Sequence, residues 1–105
     1  MPLSNTRKKQ LRQFGHALKP VVTVAEQGLT DNVLAELNRA LDDHELIKVK
    51  LRIEEREDKK NLGEELCRQC KAELVQSIGH VILIYRQAEK QNPKLSNVLS
   101  KNAQG

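Results

Sequence analysis

The sequence contains few aromatic residues, few cysteines and no long apolar run. Among its 105 residues there is no tryptophan, and the aromatic residues are Phe14 and Tyr85. Proteins that stack single-stranded nucleic acid on a platform use several exposed aromatic rings, so the sequence excludes that mode of binding. The two cysteines, Cys67 and Cys70, are too few for a disulfide framework.

The apolar runs are also too short for a membrane segment or a secretory signal. The longest aliphatic run is Val81 to Ile84, whereas a membrane-spanning helix needs about 20 apolar residues. The basic N-terminus is followed only by the short stretch 21–24, and a secretory signal needs an apolar region of about 7–15 residues. Since the length fits one domain, we expect a soluble, cytoplasmic, single-domain protein without membrane contact.

No catalytic or metal-binding motif stands out. The sequence holds no nucleophile elbow, no phosphate-binding P-loop and no His-Glu-x-x-His helix. Cys67 and Cys70 have C-x-x-C spacing, but both fall well inside a predicted helix, away from the N-terminal dipole that stabilises a thiolate. A zinc site needs about four ligands, and the three histidines are scattered along the chain. We predict a protein that is not an enzyme and that needs no metal or cofactor.

Basic residues are concentrated at the two ends of the chain. Residues 1–20 carry five basic residues and no acidic residue, and residues 86–105 carry four basic residues and one glutamate. Residues 21–85 hold nine basic and thirteen acidic residues, so the middle is mildly acidic. This distribution, with a net charge of +4, is typical of a protein with a polyanionic partner. The alternative is that both ends are merely solvated.

Apolar periodicity predicts three helices and four strands. Leu11, Phe14 and Leu18 recur at helical spacing behind Asn5 or Thr6, either of which can cap the helix. The segment 46–53 alternates apolar and polar residues and predicts a half-buried strand. The predicted elements are helix 6–18, strand 21–24, helix 31–42 with Thr30 as its cap, strand 46–53, helix 60–72, and strands 72–78 and 81–86, with a charged loop over 54–60.

This order predicts an α/β fold, an α-β-α-β-α-β-β two-layer sandwich with a mixed four-stranded sheet. Strand–helix–strand connections favour parallel crossovers, and Ser77 to His80 predicts an antiparallel hairpin between the last two strands. From Gln87 the chain is polar. We therefore predict a domain over 1–86 and a flexible, basic tail over 87–105.

Two basic rows and one turn are candidates for phosphate binding. The rows comprise Lys8, Arg12 and Lys19 on one helix face and Lys48, Lys50 and Arg52 on one strand face. The helix sector also holds Gly15 and is flanked by Lys9 and His16. In the turn 25–28, Gly28 lets a nucleic-acid backbone approach the start of a capped helix. Each feature alone is explained by solvation or by an ordinary turn. Together they favour RNA, because no helix-turn-helix pair for reading DNA is evident.

Several segments form a pattern when they are taken together. They are Leu11-Arg12, residues 16–22 (HALKPVV), Gly28-Leu29-Thr30, residues 44–50 (HELIKVK) and residues 75–86 (VQSIGHVILIYR). In combination they resemble the CRM domain, the chloroplast RNA splicing and ribosome maturation domain, in its stand-alone bacterial YhbY-like form. The resemblance covers residues 3–86.

The resemblance implies a fold similar to the C-terminal domain of translation initiation factor three, and RNA binding. Bacterial members are associated with precursors of the large ribosomal subunit, so the implied partner is ribosomal RNA. The family carries a G-x-x-G loop between the first strand and the second helix. Here the loop is Ala25-Glu26-Gln27-Gly28, with alanine at the first glycine position and an added negative charge from Glu26.

We therefore predict a monomeric RNA-binding protein of large-subunit assembly. The predicted RNA contacts are Lys8, Arg12, Lys19, Gln27, Gly28, Lys48, Lys50 and Arg52. Two alternatives stay open. Acidic residues on the second and third helices suit a protein-interaction module that docks on an assembly factor or a ribosomal protein. A reactive Cys67 or Cys70 would instead indicate a thiol-dependent redox factor.

Overall fold

The computed structural model describes residues 3–98, which form three helices and four strands. The elements are α1 (Asn5–Gly15), β1 (Pro20–Val24), α2 (Asp31–His44), β2 (Leu46–Leu51), α3 (Arg56–Cys70), β3 (Glu73–Ile78) and β4 (Val81–Tyr85). Their order is the predicted α-β-α-β-α-β-β. No helix in the described part of the chain is long and apolar enough to cross a membrane.

The four strands form one mixed sheet in the order β1-β2-β4-β3. β1 and β2 pair in parallel, whereas β4 is antiparallel to both of its neighbours. β3 therefore runs in the same direction as β2, with β4 between them. The predicted mixed four-stranded sheet and its antiparallel last pair are confirmed.

The alternation of side chains along β2 divides the apolar core in two. Ile47, Val49 and Leu51 pack in the cluster beneath α2 and α3. Leu46 faces the other way, into a second cluster with Leu11 of α1. One helix covers one face of the sheet and two helices cover the other, so the layering differs from the predicted two-layer sandwich. The reason is that the apolar stripe of α1 needs an apolar partner, and Leu46 supplies it on the otherwise basic face of β2.

α1 is shorter than predicted, and its cap is a different residue. The Oγ of Ser4 accepts a hydrogen bond of 3.1 Å from the backbone N–H of Arg7, so Ser4 is the N-cap rather than Asn5 or Thr6. An oxygen on the side chain of the N-cap residue satisfies one of the free N–H groups of the first turn.

The C-terminal end of α1 packs closely on the sheet. Gly15 is buried, and a Cβ atom there would lie 2.6 Å from a methyl carbon of Leu83. Gly15 therefore faces the sheet, not the basic sector in which the helical wheel placed it. Because α1 ends at Gly15, Lys19 follows the helix instead of lying on it.

The ends of the other two helices are set by caps and charge. α2 begins as predicted, since the Oγ1 of Thr30 accepts a hydrogen bond of 3.2 Å from the N–H of Val33. α3 begins at Arg56, so the prediction of a charged loop over 54–60 is wrong for residues 56–60. Acidic residues at the second and third positions of α3 stabilise the positive end of its dipole. The dense charge thus belongs to a solvated first turn.

The C-terminal segment, residues 87–98, packs on the domain through a buried carboxylate. Glu45 is fully buried, directly after α2. Its Oε2 accepts hydrogen bonds from the N–H of Ala88 at 2.9 Å and from Nε2 of Gln91 at 3.0 Å. Its Oε1 accepts one from the Oγ of Ser96 at 2.7 Å. Three donors from one segment thus converge on a single side chain.

Further contacts fix the end of this segment. Nδ1 of His44 lies 2.8 Å from the carbonyl oxygen of Leu95, and Nδ2 of Asn97 donates to the carbonyl oxygen of Leu46 at 2.7 Å. Val98 is buried in the cluster beneath α1. The prediction of a flexible tail is therefore wrong for residues 87–98. The polar groups of this segment have a buried partner, the carboxylate of Glu45, which the composition of the segment does not show. Residues 99–105 of that tail lie outside the described residues.

The backbone and the charge of Glu45 are both unusual. Its φ is +64°, a region that costs a residue with a side chain about 1–3 kcal/mol. Burial alone would raise the pKa of Glu45, but the donors from Gln91, Ser96 and Ala88, with the nearby charge of Arg7, bring the pKa below its ordinary value of 4.5. The carboxylate is therefore held in its charged form.

Candidate nucleic-acid interface

An open groove of about 860 Å³ lies between the C-terminal half of α1 and the β3–β4 hairpin. We call it the basic groove. Its positively charged lining residues are Lys9, Arg12, Lys19 and Lys48, with His16 beside them. Its apolar lining residues are Leu18, Pro20, Ile78, Val81 and Leu83, and the amides of Gln13 and Gln76 complete it.

Three elements bring these cations together. α1 and its C-cap place Lys9, Arg12 and His16 at spacings of three and four residues, which is one side of a helix. Pro20, which follows Lys19 and is the first residue of β1, pairs with Lys48 in β2. The Nζ of Lys48 donates a hydrogen bond of 3.4 Å to the carbonyl oxygen of His16, at the C-terminal end of α1. The groove therefore forms where the end of α1 meets the start of β1 and the middle of β2.

The positive charge of the basic groove is not neutralised by neighbouring carboxylates. No aspartate or glutamate lines the groove. The ion pairs within residues 3–98 are Arg68–Glu65 and Arg86–Asp42, and neither involves a groove residue. Cations without a paired carboxylate keep their attraction for an incoming anion. The groove is therefore suited to phosphate groups.

Three of the predicted RNA contacts line the groove, and two others lie further along β2. Arg12, Lys19 and Lys48 line the groove. Lys50 and Arg52 are exposed and continue the alternation that begins at Lys48. We call Lys48, Lys50 and Arg52 the β2 row. Its far end lies beside the end of β1, because the N–H of Arg52 donates to the carbonyl oxygen of Val24 at 2.7 Å.

The remaining predicted contacts lie elsewhere. Lys8 is half-buried on α1 and does not line the groove. Gln27 and Gly28 follow the C-terminal end of β1, whereas the groove is at its N-terminal end. The structure therefore does not bring Lys8, Gln27 or Gly28 together with the groove cations.

The turn 25–28 has the backbone that its sequence requires. Gly28 has a φ of +76°, and its N–H donates to the carbonyl oxygen of Ala25 at 2.9 Å. Ala25 is not among the described residues with positive φ, so alanine at the first glycine position of the family loop causes no backbone strain. No atom lies within 4 Å of the position a Cβ on Gly28 would take, and the loop is open to the outside.

The surroundings of this turn are acidic. Gly28 lines a hollow of about 400 Å³ together with Glu26, Glu54, Glu55 and Asp58, and no lysine or arginine lines it. Carboxylates at this density repel phosphate. The acidic hollow therefore lowers the attraction of the turn for RNA on that side.

Arg7 and Arg86, which belong to the two basic regions of the sequence, make contacts within the fold. The guanidinium of Arg7 lies 5.5 Å from the centre of the Tyr85 ring, a cation–π contact. Arg86 donates to Oδ1 of Asn38 and to the carbonyl oxygen of Cys70, each at 2.7 Å, and pairs with Asp42 at 2.8 Å. Arg86 thus ties the end of the sheet to α2 and α3, and its charge is not free for a partner.

The two cysteines are buried near the end of α3 and are not bonded to each other. Burial, with the neighbouring Cys70 and Glu73, raises the pKa of Cys67 to about 12. Burial also raises the pKa of Cys70. A thiol with a raised pKa is a poor nucleophile at neutral pH. Between residues 3 and 98 no group of three or more metal-ligating side chains is assembled.

Sequence reasoning left several groove residues out of the predicted interface. Lys9 and His16 are related to Arg12 by helical spacing, so this pattern was a usable signal. Gln13, Gln76 and Ile78 gave none. An isoleucine beside a turn predicts a buried strand end, whereas Ile78 is 64% exposed at the edge of the sheet.

Comparisons with known proteins place the chain in a family. The model of the CRS1 / YhbY (CRM) domain matches residues 3–86. A Pseudomonas aeruginosa protein named a probable RNA-binding protein is 57% identical over 98 residues, which cover 93% of this chain and 94% of that one. A Haemophilus influenzae protein named an RNA-binding protein is 44% identical over 88 residues, covering 84% and 89%.

A solved structure agrees with this assignment. The solution structure of a hypothetical protein from Staphylococcus aureus is 34% identical and superposes with a TM-score of 0.74, covering 84% of this chain and 92% of that one. The fold, the matched residues and the resemblance noted in the sequence agree. The chain belongs to the CRS1 / YhbY (CRM) domain family.

Proposed function

We propose that the chain binds structured RNA through the basic groove and the β2 row. The observation that carries the proposal is the grouping of Lys9, Arg12, Lys19 and Lys48 in one groove that no carboxylate lines. Lysine and arginine bind phosphates and release condensed counterions, which is the main source of affinity in nucleic-acid binding. Support also comes from the relatives in Pseudomonas aeruginosa and Haemophilus influenzae, whose names describe RNA binding.

The proposal extends to a partner and a setting. The partner is ribosomal RNA in precursors of the large subunit, and the protein acts there as a cytoplasmic monomer without catalysis. This part is supported by the family resemblance, not by the geometry of the groove. Lys8, Gln27 and Gly28 are secondary contacts in this proposal, because they lie away from the groove cations.

Three double variants test the interface. The groove pair is Lys9→Gln with Lys19→Gln, the row pair is Lys50→Gln with Arg52→Gln, and the control pair is Arg39→Gln with Lys60→Gln. All six residues are exposed, and the control residues lie on α2 and α3, which cover the opposite face of the sheet. Each pair removes the same charge, so a general loss of positive charge affects all three equally.

RNA affinity is then measured across a range of salt concentrations. The groove pair and the row pair are each expected to reduce the slope of log K against log salt by about two, because removing one phosphate-binding cation reduces the slope by about one. The control pair should leave the slope near that of the original protein. Equal reductions in all three variants, or no reduction in the groove pair, would show that the groove is not the RNA site.

A lysate experiment tests the proposed partner. If ribosomal RNA holds the protein, it co-sediments with large-subunit precursors, and nuclease treatment releases it. If the protein stays bound to the stripped protein fraction, the alternative of docking on an assembly factor or a ribosomal protein is correct. The groove pair should shift the protein to the soluble fraction before nuclease is added.

A further inference from the structure

We infer that the basic groove takes an unpaired nucleotide of the RNA, with its base against the apolar residues and its phosphates on the cations. This inference rests on the proposed function and names the form of RNA that the site recognises. Ile78, Val81 and Leu18 supply the apolar surface for the base.

An apolar surface is exposed inside the cationic site. Ile78 is 64% exposed and pairs with Val81 across the β3–β4 hairpin. Val81 pairs with Lys50 of the β2 row, so both side chains lie on the α1 face of the sheet. Val81 and Leu18 are half-buried beside it. Aliphatic groups grouped in a concave site, with cations around them, mark a surface that a ligand covers.

The apolar surface and the cations match the parts of a nucleotide. A nucleobase has two apolar faces, and its phosphate is an anion. An RNA duplex presents phosphates and sugars but keeps the base faces stacked inside, so it would contact the cations and leave Ile78 uncovered. An unpaired nucleotide satisfies both parts of the groove. The groove volume of about 860 Å³ lies within the range of sites that hold molecules of this size.

Two side-chain amides lie at the same surface. Gln13 on α1 and Gln76 on β3 both line the groove. A side-chain amide carries both a donor and an acceptor and can form paired hydrogen bonds with the edge of a base. Gln76 pairs with Leu83 on the α1 face of the sheet, so it lies beside the apolar residues. The groove thus offers an apolar surface, base-edge partners and cations together.

The substitution Ile78→Asn tests the inference, with Leu74→Asn as its control. Leu74 lies on the same strand and is 36% exposed, but it pairs with Ile84, which belongs to the cluster beneath α2 and α3. Two RNA hairpins serve as probes. One is fully paired, and the other is the same hairpin with one bulged nucleotide, a fluorescent adenine analogue.

The original protein is expected to bind the bulged hairpin more tightly than the paired one and to change the fluorescence of the analogue. Ile78→Asn should weaken binding of the bulged hairpin by about five-fold, because the base no longer packs against an apolar side chain. Its affinity for the paired hairpin and its salt slope should not change. Leu74→Asn should bind both hairpins like the original protein.

The outcomes separate the inference from the proposed function. Equal affinity of the original protein for the two hairpins overturns the inference, and this result does not depend on any variant being folded. If the groove pair still loses affinity in that case, the RNA-binding proposal stands without the inference. If the groove pair binds the hairpins as tightly as the control pair and the original protein, the proposed function itself is wrong.

Discussion

The Nζ of Lys48 donates a hydrogen bond of 3.4 Å to the carbonyl oxygen of His16. This contact joins the middle of β2 to the C-terminal end of α1, where carbonyl groups have no partner within the helix. The positive charge of Lys48 also interacts favourably with the negative end of the helix dipole. Lys48 therefore helps to hold the groove in shape and contributes to its positive charge.

Replacing Lys48 should separate these two roles. Lys48→Met keeps most of the side-chain volume but removes the hydrogen bond and the charge. We expect a decrease of about 0.5–1 kcal/mol in the free energy of unfolding and a salt slope for RNA binding that falls by about one. Urea unfolding and salt titrations measure the two effects. Lys48→Arg is the matched control, and a decrease of affinity in that variant equal to the decrease in Lys48→Met would show that charge is not the cause.

The turn 25–28 gives a different prediction. Gly28→Ala places a side chain at a φ of +76° with no atom nearby, so we expect a decrease of about 1 kcal/mol in stability from the backbone alone. RNA affinity should change little, because Glu26, Glu54, Glu55 and Asp58 surround the turn. A decrease of affinity beyond the decrease of stability would show that this loop is a main RNA contact and not a secondary one. Glu26→Gln would then be expected to strengthen binding.

The buried carboxylate of Glu45 predicts a pH-dependent stability. Because the pKa of Glu45 is lowered in the folded chain, its stabilising contribution is complete above its ordinary value of 4.5 and is lost as the pH falls through the lowered pKa. Glu45→Gln should lower the free energy of unfolding by about 2 kcal/mol near neutral pH, since buried donors lose a charged acceptor. Urea unfolding at a series of pH values measures both effects.

A second variant shows whether the acid dependence of stability comes from the charge of Glu45 or from the packing of the C-terminal segment. Ser96→Ala removes one donor and leaves the carboxylate, so it should cost less than Glu45→Gln and keep part of the acid dependence. An unchanged acid dependence in Glu45→Gln would contradict the assignment of that dependence to Glu45.

The cysteines provide a test of the redox alternative. With a pKa of about 12 and a buried side chain, Cys67 should resist thiol-specific reagents in the native protein at neutral pH. Both cysteines should react fully once the chain is unfolded in denaturant. Fast labelling of Cys67 in the native protein would favour the thiol-dependent redox factor instead.

The sequence was sufficient for the order of elements and for the faces of β2. Residues 46–51 alternate strictly, so the side of Ile47 and Val49 and the side of Lys48 follow from the geometry of any strand. The second apolar surface was harder to foresee. A helical wheel gives angles around an axis and no partner, so the packing of Gly15 on Leu83 was not predictable.

The candidate site was predictable only in part, because tertiary packing decides which side chains come together. Arg12, Lys19 and Lys48 were predicted as phosphate contacts because lysine and arginine side chains attract anions, and the structure places all three in the lining of the groove. Their grouping depends on tertiary packing, as does the separate acidic hollow near Gly28. Glu45 is a charged residue directly after a helix, and such residues are usually exposed. Nothing in the local sequence therefore predicted its burial under the C-terminal segment.

The position of β4 in the sheet affects how the chain folds as it is synthesised. β4 is the last strand of the described chain, and it is the partner of both β2 and β3. Until the ribosome has added residue 85, only the β1–β2 pair has its partner available, and one side of β2 stays open. The nascent chain therefore exposes an unpaired edge of β2 until β4 inserts between β2 and β3, and this insertion joins the two parts of the sheet.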